Sequence, residues 1–298
     1  MQQYKLSIPY TGTKNKLLDF VIPKLNEANC DTLISPFAGS LSVEMNSNCN
    51  KFFLNDSNMP LIDLYKSIKY RVDSPKQLFN FIKPVINKYN FNSFDKESYL
   101  DFRENYNNIP SNNSDYDTLC MKSFCLLILM LHSFNNQIRF NKKGEFNMPF
   151  GFRTLNDSNE EKITNLVNFI VVGLNRIFYS LDFSSFICNM INENKNNAND
   201  TIFYLDPPYN NTVATYNENN WSDLEEEELY ELINEINNKG FKFLLSNVIE
   251  HNGIKNDKLL KFVEENNYKI ITKEYNYGNC SYQKKNRSKS IECLISNY

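Results

Sequence analysis

Asp206, Pro207, Pro208 and Tyr209 follow directly after TIFYL, an apolar run typical of a buried β-strand. The prolines fix the backbone φ and remove two N–H donors, so the Asp206 carboxylate and the Pro207 carbonyl would be rigid acceptors. Tyr209 adds a face on which a flat ring could stack. Two acceptors and a stacking face are what the exocyclic amine of a flipped base requires. The alternative is a polar turn followed by an exposed tyrosine.

Two further stretches place a turn directly after a predicted strand. PFAGSLSVEM (36–45) puts Gly39 where the backbone could approach a ligand closely, although neither GxGxxG nor GxxxxGK[ST] is present. NDSN (55–58) puts Asp56 where a carboxylate of a nucleotide-binding sheet accepts hydrogen bonds from ribose hydroxyls. A plain strand-to-helix turn is the alternative for the first stretch. Helix capping by Asp56 or Ser57 is the alternative for the second.

The elements that would position these turns alternate between helix and strand at both ends of the chain. The predicted elements are a helix over 14–25, strands over 31–39, 51–58 and 201–206, a helix over 224–238, a strand over 241–247, a helix near 255–266, and strands over 268–275 and 290–297. Ser222 and Glu225 fit a capping box, and 192–200 is predicted to be a surface loop. We therefore predict one α/β sheet built from residues 1–59 and 166–298.

Residues 60–165 lack this alternation and are predicted to form an inserted, mainly helical domain. Helical patterns dominate there, with a strongly apolar one over 118–132. QIRFNKKGEFNMPFG (137–151) has KKG between two short runs with aromatic residues, which predicts a β-hairpin. The net charge over 137–153 is +3, a patch suited to phosphates, although a solvated hairpin would look the same.

The totals exclude several classes of protein. The 298 residues include 41 % hydrophobic and 22 % charged, as in a soluble globular protein. No apolar run is long enough for a transmembrane helix, and the first residues lack the apolar core of a signal peptide, so a cytoplasmic location is expected. The chain has only two histidines and no CxxC pair among its seven cysteines, so no metal site is expected. The net charge of −3 argues weakly against nucleic acid as a partner.

The order and spacing of these motifs, together with IPYTGTK (8–14), strongly resemble the DNA adenine-N6 methyltransferases of the Dam type, the D12 class. The resemblance includes SFNNQIRFNKKGEFNMPFGFR (133–153), FKFLLSNVIEH (241–251) and the C-terminal KKNRSKSIECLISNY. Within this class, the chain resembles phage Dam enzymes and restriction-associated relatives. The resemblance implies a Rossmann-like methyltransferase sheet carrying an inserted target-recognition domain with a β-hairpin.

The resemblance also implies S-adenosylmethionine as the cofactor, with S-adenosylhomocysteine as product. The residues implied at the cofactor are Tyr10, Lys14, Phe37, Gly39, Asp56 and Asp206. Asp206, Pro207, Pro208 and Tyr209 would be catalytic, with no metal. The family's loop usually has a second glycine after the first. Here Leu41 follows Ser40, which leaves the loop geometry open.

Double-stranded DNA is the implied substrate, methylated after base flipping. The residues implied to contact it are Phe134, Asn135, Gln137, Arg139, Asn141, Pro149 and Arg153. Arg139 would recognise a guanine. The resemblance of the hairpin to that of the Dam type suggests GATC as the target, and the alternative is a longer GAT-containing site of a restriction-associated enzyme. The cluster Lys284, Lys285, Arg287 and Lys289 would contact phosphate or be solvated.

Three alternatives remain at this point. RNA adenine is disfavoured, because side chains cannot recognise bases in the major groove of A-form RNA. A protein glutamine is disfavoured, because enzymes for that reaction resemble NPPY where this chain has Asp206. A DNA-binding protein with an inactive site is disfavoured by the intact DPPY, NDSN and YTGTK. A monomer is the default expectation, and a separate cognate restriction endonuclease is a possible partner.

Overall fold

The structure is a computed structural model that describes residues 4–10, 12–93, 95–110, 115–173, 175–209, 221–251, 253–276 and 289–298. Backbone contacts divide the chain into two compact units. The first, the helical unit, contains Met1–Leu18, Gly39–Asn46 and Asp56–Ser180. The second, the sheet unit, contains Asp19–Ala38, Ser47–Asn55 and Leu181–Tyr298.

The helices and strands of the described residues are numbered here in chain order. The α-helices are α1 (Leu18–Asn26), α2 (Met59–Arg71), α3 (Pro75–Lys88), α4 (Lys96–Asn108), α5 (Tyr116–His132), α6 (Asp157–Val172), α7 (Phe183–Asn194), α8 (Asp223–Asn238) and α9 (Asp257–Asn266). The strands are β1 (Thr32–Ser35), β2 (Lys51–Asn55), β3 (Arg176–Tyr179), β4 (Thr201–Leu205), β5 (Lys242–His251), β6 (Ile254–Lys255), β7 (Lys269–Asn276) and β8 (Lys289–Ser296).

The sheet unit is organised around strands in the order β2-β1-β4-β5-β8-β7. β1 pairs in parallel with β2 and β4, and β4 pairs in parallel with β5. β8 is antiparallel to both β5 and β7, and the short β6 pairs with β5. The prediction that strands from both ends of the chain share one sheet is therefore confirmed. The order along the chain reverses between β1 and β4, and the carboxyl ends of such neighbours form a ligand-binding crevice in α/β proteins.

Apolar residues explain why these strands form the core of the sheet unit. Every residue of β1 and of β4 is buried, as in a parallel strand that is covered on both faces. The capping box predicted for α8 is confirmed. The Ser222 backbone N–H donates to Glu225 Oε2 at 2.8 Å, and the Leu224 N–H donates to Ser222 Oγ at 3.2 Å.

The helical unit contains α2 to α6, in agreement with the helical patterns over 60–165. Side-chain oxygens of Ser74, Asp95, Asp115 and Asn156 accept hydrogen bonds from the first turns of α3, α4, α5 and α6. The second half of α5, from Leu126 onward, is buried throughout, which explains its continuous apolar sequence. The assignment of 60–165 to target recognition stays a prediction.

Two details differ from the predictions. The Asn-rich stretch 192–200 is not a surface loop, because α7 continues to Asn194 and a 3₁₀ helix follows over Lys195–Asp200. Buried Asn194 stabilises the end of α7 by donating from Nδ2 to the Met190 carbonyl at 3.0 Å. The helix predicted over 14–25 begins later, at Leu18. Within the ranges described above, no helix combines the length and the apolar character that crossing a membrane requires.

Candidate functional site

Asp56, the first residue after β2, is held by main-chain donors within the helical unit. Its Oδ2 accepts a hydrogen bond from the Gly39 N–H at 2.9 Å, and its Oδ1 accepts one from the Asn58 N–H at 2.8 Å. The bond from Asn58 lies at the start of α2, so Asp56 also orders the entry to that helix. Each carboxylate oxygen has a second lone pair, which leaves acceptor capacity for hydroxyl donors.

Tyr10 and Asp56 form one partly buried polar cluster with Asn58. The Asn58 Nδ2 donates to the Tyr10 hydroxyl at 3.3 Å. Burial raises the pKa of Asp56 above its ordinary value, and the two main-chain hydrogen bonds oppose that effect. The pKa of Tyr10 is also raised, first by burial and then by the nearby charge of Asp56. Tyr10 therefore stays a neutral phenol at physiological pH.

Gly39 and Leu41 give the turn after β1 its unusual backbone. Gly39 has φ +46°, and the Tyr65 hydroxyl donates to its carbonyl at 2.6 Å. A Cβ at Gly39 would lie 3.5 Å from Cε1 of Tyr10, so a side chain there would contact that ring. Leu41 has φ +60° although it is not glycine, and its side chain is fully buried. Tertiary packing thus holds Leu41 in a conformation that glycine adopts at lower cost.

Lys14 lies beside a small network of hydroxyl groups. Its side chain is buried, and its backbone N–H donates to Ser42 Oγ at 3.1 Å. The Oγ of Ser7 lies 3.1 Å from both Thr13 Oγ1 and Ser40 Oγ. Thr13 of the YTGTK motif and Ser40 of the PFAGS turn are therefore linked through Ser7. Thr11 of the same motif lies outside the described residues.

Phe37 lies in an aromatic cluster of the sheet unit. Its ring centroid is 5.6 Å from that of Phe183 and 5.7 Å from that of Trp221. Asn55 fixes the backbone around Phe37, because its Nδ2 donates to the Pro36 carbonyl at 3.0 Å and its carbonyl accepts from Ala38 N–H at 2.8 Å. The backbone on both sides of Phe37 is thereby held.

Asp206 is the first residue after β4 and is partly exposed, while Pro207 is buried and Pro208 is exposed. The Tyr209 hydroxyl donates to Asp206 Oδ1 at 3.1 Å, and it also lies 3.3 Å from Ser246 Oγ on β5. The chain bends back within three residues, so the aromatic ring and the carboxylate are brought together. A side-chain hydroxyl thus contacts the carboxylate of Asp206.

The stretch predicted as a hairpin reverses direction within the helical unit, at the predicted turn. Gly144 has φ +76°, and Asn141 Oδ1 accepts from the backbone N–H groups of Lys143 at 2.9 Å and Glu145 at 3.0 Å. The arms carry isolated antiparallel bridges, at Phe140–Phe146 and Ser133–Phe150, and not the continuous strands of a regular β-hairpin. Asn141, which was predicted to contact DNA, has a clear structural role in this turn.

The base of this reversal presents exposed residues. Phe134 is 51 % exposed, and its N–H donates to the Pro149 carbonyl at 2.9 Å. Asn135, Pro149 and Arg153 are exposed, and Gln137 is partly exposed. The Gly151 N–H donates to the His132 carbonyl at 2.8 Å, and a Cβ at Gly151 would clash with the Ser133 carbonyl. Glycine is thus required where the two arms meet.

Arg139 is oriented by the opposite arm. Its Nε donates to Asn147 Oδ1 at 2.7 Å and its Nη2 to the Asn147 carbonyl at 3.2 Å. The basic residues at 284–288 lie outside the described residues, as does the side chain of Lys289.

Neither histidine lies in a candidate metal site. His132 is buried, its Nδ1 lies 2.8 Å from the Ile128 carbonyl, and burial lowers its pKa. His251 Nδ1 lies 2.6 Å from Ser290 Oγ. In the described part of the chain, no group of three or more His, Cys, Asp or Glu residues could hold a metal ion.

Sequence reasoning missed the residues that hold the predicted ones in place. Asn58, Tyr65, Asn147 and Ser246 contact Asp56, Gly39, Arg139 and Tyr209, respectively. Each is a single polar residue in an ordinary helix, strand or turn. Asn58, Asn147 and Ser246 carried a signal, because all three lie inside stretches that had already been singled out in the sequence, whereas Tyr65 did not.

Comparison with known proteins settles the family. The model of the D12 class N6 adenine-specific DNA methyltransferases matches residues 10–279. The chain belongs to this family. The match begins at Tyr10 and includes both the Asp56 cluster and the Asp206 turn. Adenine DNA methyltransferases of this family generally use S-adenosylmethionine.

Several known methylases are similar to most of the chain. Modification methylase StsI of Streptococcus sanguinis is 31 % identical over 301 residues, covering 99 % of this chain and 43 % of that protein. Type II methyltransferase M.FokI of Planomicrobium okeanokoites has the same identity and coverage. DNA adenine methylase of Salmonella typhi is 28 % identical over 260 residues, covering 83 % of this chain and 82 % of that protein. The chain thus spans less than half the length of the first two relatives.

Proposed function

We propose that this chain transfers a methyl group from S-adenosylmethionine to N6 of adenine in a specific site of duplex DNA, after flipping the base. The Asp206-Pro207-Pro208-Tyr209 turn carries this proposal most directly. It follows a fully buried strand at the point where the strand order reverses, which is the usual position of a ligand in an α/β sheet. Membership of the D12 family supports the same reaction.

The residues of the helical unit fit the proposed cofactor. S-adenosylmethionine, when bound, would supply an electrophilic methyl group on a sulfonium. Asp56, fixed by the N–H groups of Gly39 and Asn58, retains lone pairs for the ribose hydroxyls. Gly39 keeps the space beside the Tyr10 ring that a Cβ would partly fill. Tyr10 and Lys14 would also contact the cofactor, and Phe37 would shape the turn.

The catalytic residues would act on the adenine amine by accepting hydrogen bonds. The N6 lone pair is delocalised into the ring, so the amine is a poor nucleophile. The Asp206 carboxylate and the Pro207 carbonyl would accept from the two N6–H groups, which localises the lone pair and directs it. Positioning and preorganised acceptors would supply most of the rate enhancement. Tyr209 would stack on the flipped adenine, and its hydroxyl would leave Asp206 as the amine arrives.

Residues 133–153 would recognise the DNA. The net charge of +3 in this stretch favours phosphate contacts, and Phe134 is exposed where a side chain could enter the base stack. Arg139 would bind guanine O6 and N7 in the major groove. We propose GATC as the target, with a longer GAT-containing site as the alternative. The modification methylases that match 99 % of this chain favour keeping that alternative.

A methyl-transfer assay tests the proposed function. Purified protein is incubated with labelled S-adenosylmethionine and, in parallel, with unmethylated duplex DNA, A-form RNA duplex or a glutamine-containing peptide. We expect label on DNA alone, recovered as N6-methyladenine after hydrolysis. Label on RNA or peptide, or none on DNA from a protein that binds the cofactor, would contradict the proposal.

A further inference from the structure

Among the described residues, Asn147 holds the guanidinium of Arg139 along one edge. Nε and Nη2 define that edge, and they donate to the side-chain oxygen of Asn147 at 2.7 Å and to its main-chain oxygen at 3.2 Å. The Asn147 N–H in turn donates to the Arg139 carbonyl at 3.0 Å. Three hydrogen bonds therefore join these two residues across the arms.

Because the guanidinium of arginine is rigid, fixing one of its edges also fixes the direction of the others. A guanidinium is planar and presents five N–H donors in a fixed fork. When Asn147 takes the Nε edge, the end formed by Nη1 and Nη2 presents two parallel N–H groups. Two parallel donors are what guanine O6 and N7 accept in a bidentate contact. The pairing with Asn147 thus fixes the plane and direction of the end that would meet a base.

The neutrality of the Asn147 amide matters as much as its position. A carboxylate at this place would orient the guanidinium equally well, but it would pair with its charge and add a negative charge beside the DNA. A neutral amide oxygen orients Arg139 and leaves its positive charge available. Asn147 is partly exposed and lies in a stretch of positive net charge.

We propose that Asn147 is the positioning residue that gives Arg139 its selectivity for guanine. This rests on the proposed function, in which Arg139 recognises the guanine beside the target adenine. Asn147 acts through Arg139 and has no direct contact with the base. Its loss should therefore lower discrimination between bases more than it lowers overall DNA affinity.

The test compares kcat/KM on a GATC duplex with kcat/KM on the same duplex carrying 7-deazaguanine, which lacks the N7 acceptor, beside the target adenine. We expect the wild type to prefer guanine by about tenfold, because one half of a bidentate contact is lost. Asn147→Ala should reduce this preference to less than about threefold, since the side-chain acceptor is lost while the main-chain bonds remain. Asn147→Asp should keep the preference and weaken binding to both duplexes.

Two controls separate positioning from support of the fold. Asn107, on α4, accepts from the Phe146 N–H at 2.8 Å and donates to the Phe146 carbonyl at 3.1 Å, so it holds the neighbouring residue of the same arm. Asn107→Ala should lower stability or activity without changing the preference for guanine. In an Arg139→Ala background, Asn147→Ala should have no further effect on the preference.

The outcomes distinguish this inference from the proposed function. A wild-type preference that survives in Asn147→Ala, or that falls equally in Asn107→Ala, overturns the role of Asn147 alone. A wild type that methylates both duplexes equally overturns recognition of the guanine by Arg139, and the role of Asn147 with it. A wild type that methylates neither duplex overturns the GATC assignment, and the role argued for Asn147 with it.

Discussion

Asp56 and Asp206 each follow directly after a buried strand, yet they are held in different ways. Asp56 accepts hydrogen bonds on both oxygens from main-chain N–H groups, and its pKa is raised by burial. Asp206 is contacted by the hydroxyl of Tyr209, a donor that belongs to a side chain and not to the main chain. A carboxylate fixed by the backbone suits a partner that binds in one constant geometry. A carboxylate contacted by a side chain can exchange that partner for a substrate.

The largest effect on the methylation rate is expected from substitution of Asp206. Asp206→Ala removes the acceptor for the adenine amine and should lower kcat by at least about 100-fold, the scale of losing one preorganised transition-state contact. The thermal unfolding midpoint should stay close to that of the wild type, because Asp206 is partly exposed. Single-turnover kinetics at saturating DNA and cofactor measures this effect. Turnover within threefold of wild type would mean that the acceptor lies elsewhere.

The backbone-held carboxylate should govern binding of the cofactor. Asp56→Ala removes a partly buried partner of the ribose hydroxyls and should weaken S-adenosylmethionine binding by about 1–3 kcal/mol. Calorimetric titration of the protein without DNA measures this change. Asp73→Ala, which removes an exposed carboxylate just beyond α2, is the control and should bind like the wild type. Equal affinities of a folded Asp56→Ala and the control would refute the assignment.

Two substitutions of Tyr209 separate the role of its hydroxyl, which contacts Asp206, from the role of its ring, which would stack on the flipped adenine. Tyr209→Phe loses the hydroxyl that contacts Asp206 but keeps the ring, so it should change the rate only a few-fold. Tyr209→Ala loses the ring as well and should reduce extrusion of the target base. Fluorescence of 2-aminopurine at the target position measures extrusion. We expect a bright signal with wild type and Tyr209→Phe and a weak one with Tyr209→Ala. Three equal signals would count against stacking.

The raised pKa of Asp56 predicts a smaller effect on stability. A carboxyl whose pKa is raised by folding stabilises the folded state below its unfolded pKa, and this contribution is lost as pH rises through the folded pKa. The free energy of unfolding of the wild type should therefore fall relative to that of Asp56→Asn as pH rises from about 4 to about 7. Urea unfolding of both proteins across this range measures the difference. A constant difference, or one of opposite sign, would contradict the burial of this charge.

Asp56 and Asp206 also show which parts of the site could be predicted from the sequence. The two strands that precede Asp56 and Asp206 were predictable, because apolar runs of strand length followed by turn residues have few other solutions. The main-chain donor from Gly39 to Asp56 was not, since these two residues become neighbours only through the fold, whereas the donor from Asn58 lies two residues further along the chain. Leu41 shows the same limit, because its positive φ depends on packing of a buried side chain that no local pattern reveals.

The 3₁₀ helix over Lys195–Asp200 illustrates the opposite error. Asparagine-rich sequence favours turns and loops, because its side chain competes for backbone hydrogen bonds. Here one of those side chains, that of Asn194, bonds back to the Met190 carbonyl and supports the last turn of α7. The sequence showed that these asparagine side chains could form hydrogen bonds, but it did not show which backbone groups they would bind.

Sequencing that detects N6-methyladenine in DNA, from cells without adenine methylation of their own, tests the central claim most directly. Cells expressing the wild type should carry the modification in one motif with guanine immediately before the adenine, and cells expressing Asp206→Ala should carry none. Arg139→Ala should relax the choice of that guanine, while Lys142→Ala should lower the modified fraction at all sites equally. Unmodified adenine in the wild type, or a motif without the adjacent guanine, would contradict the account.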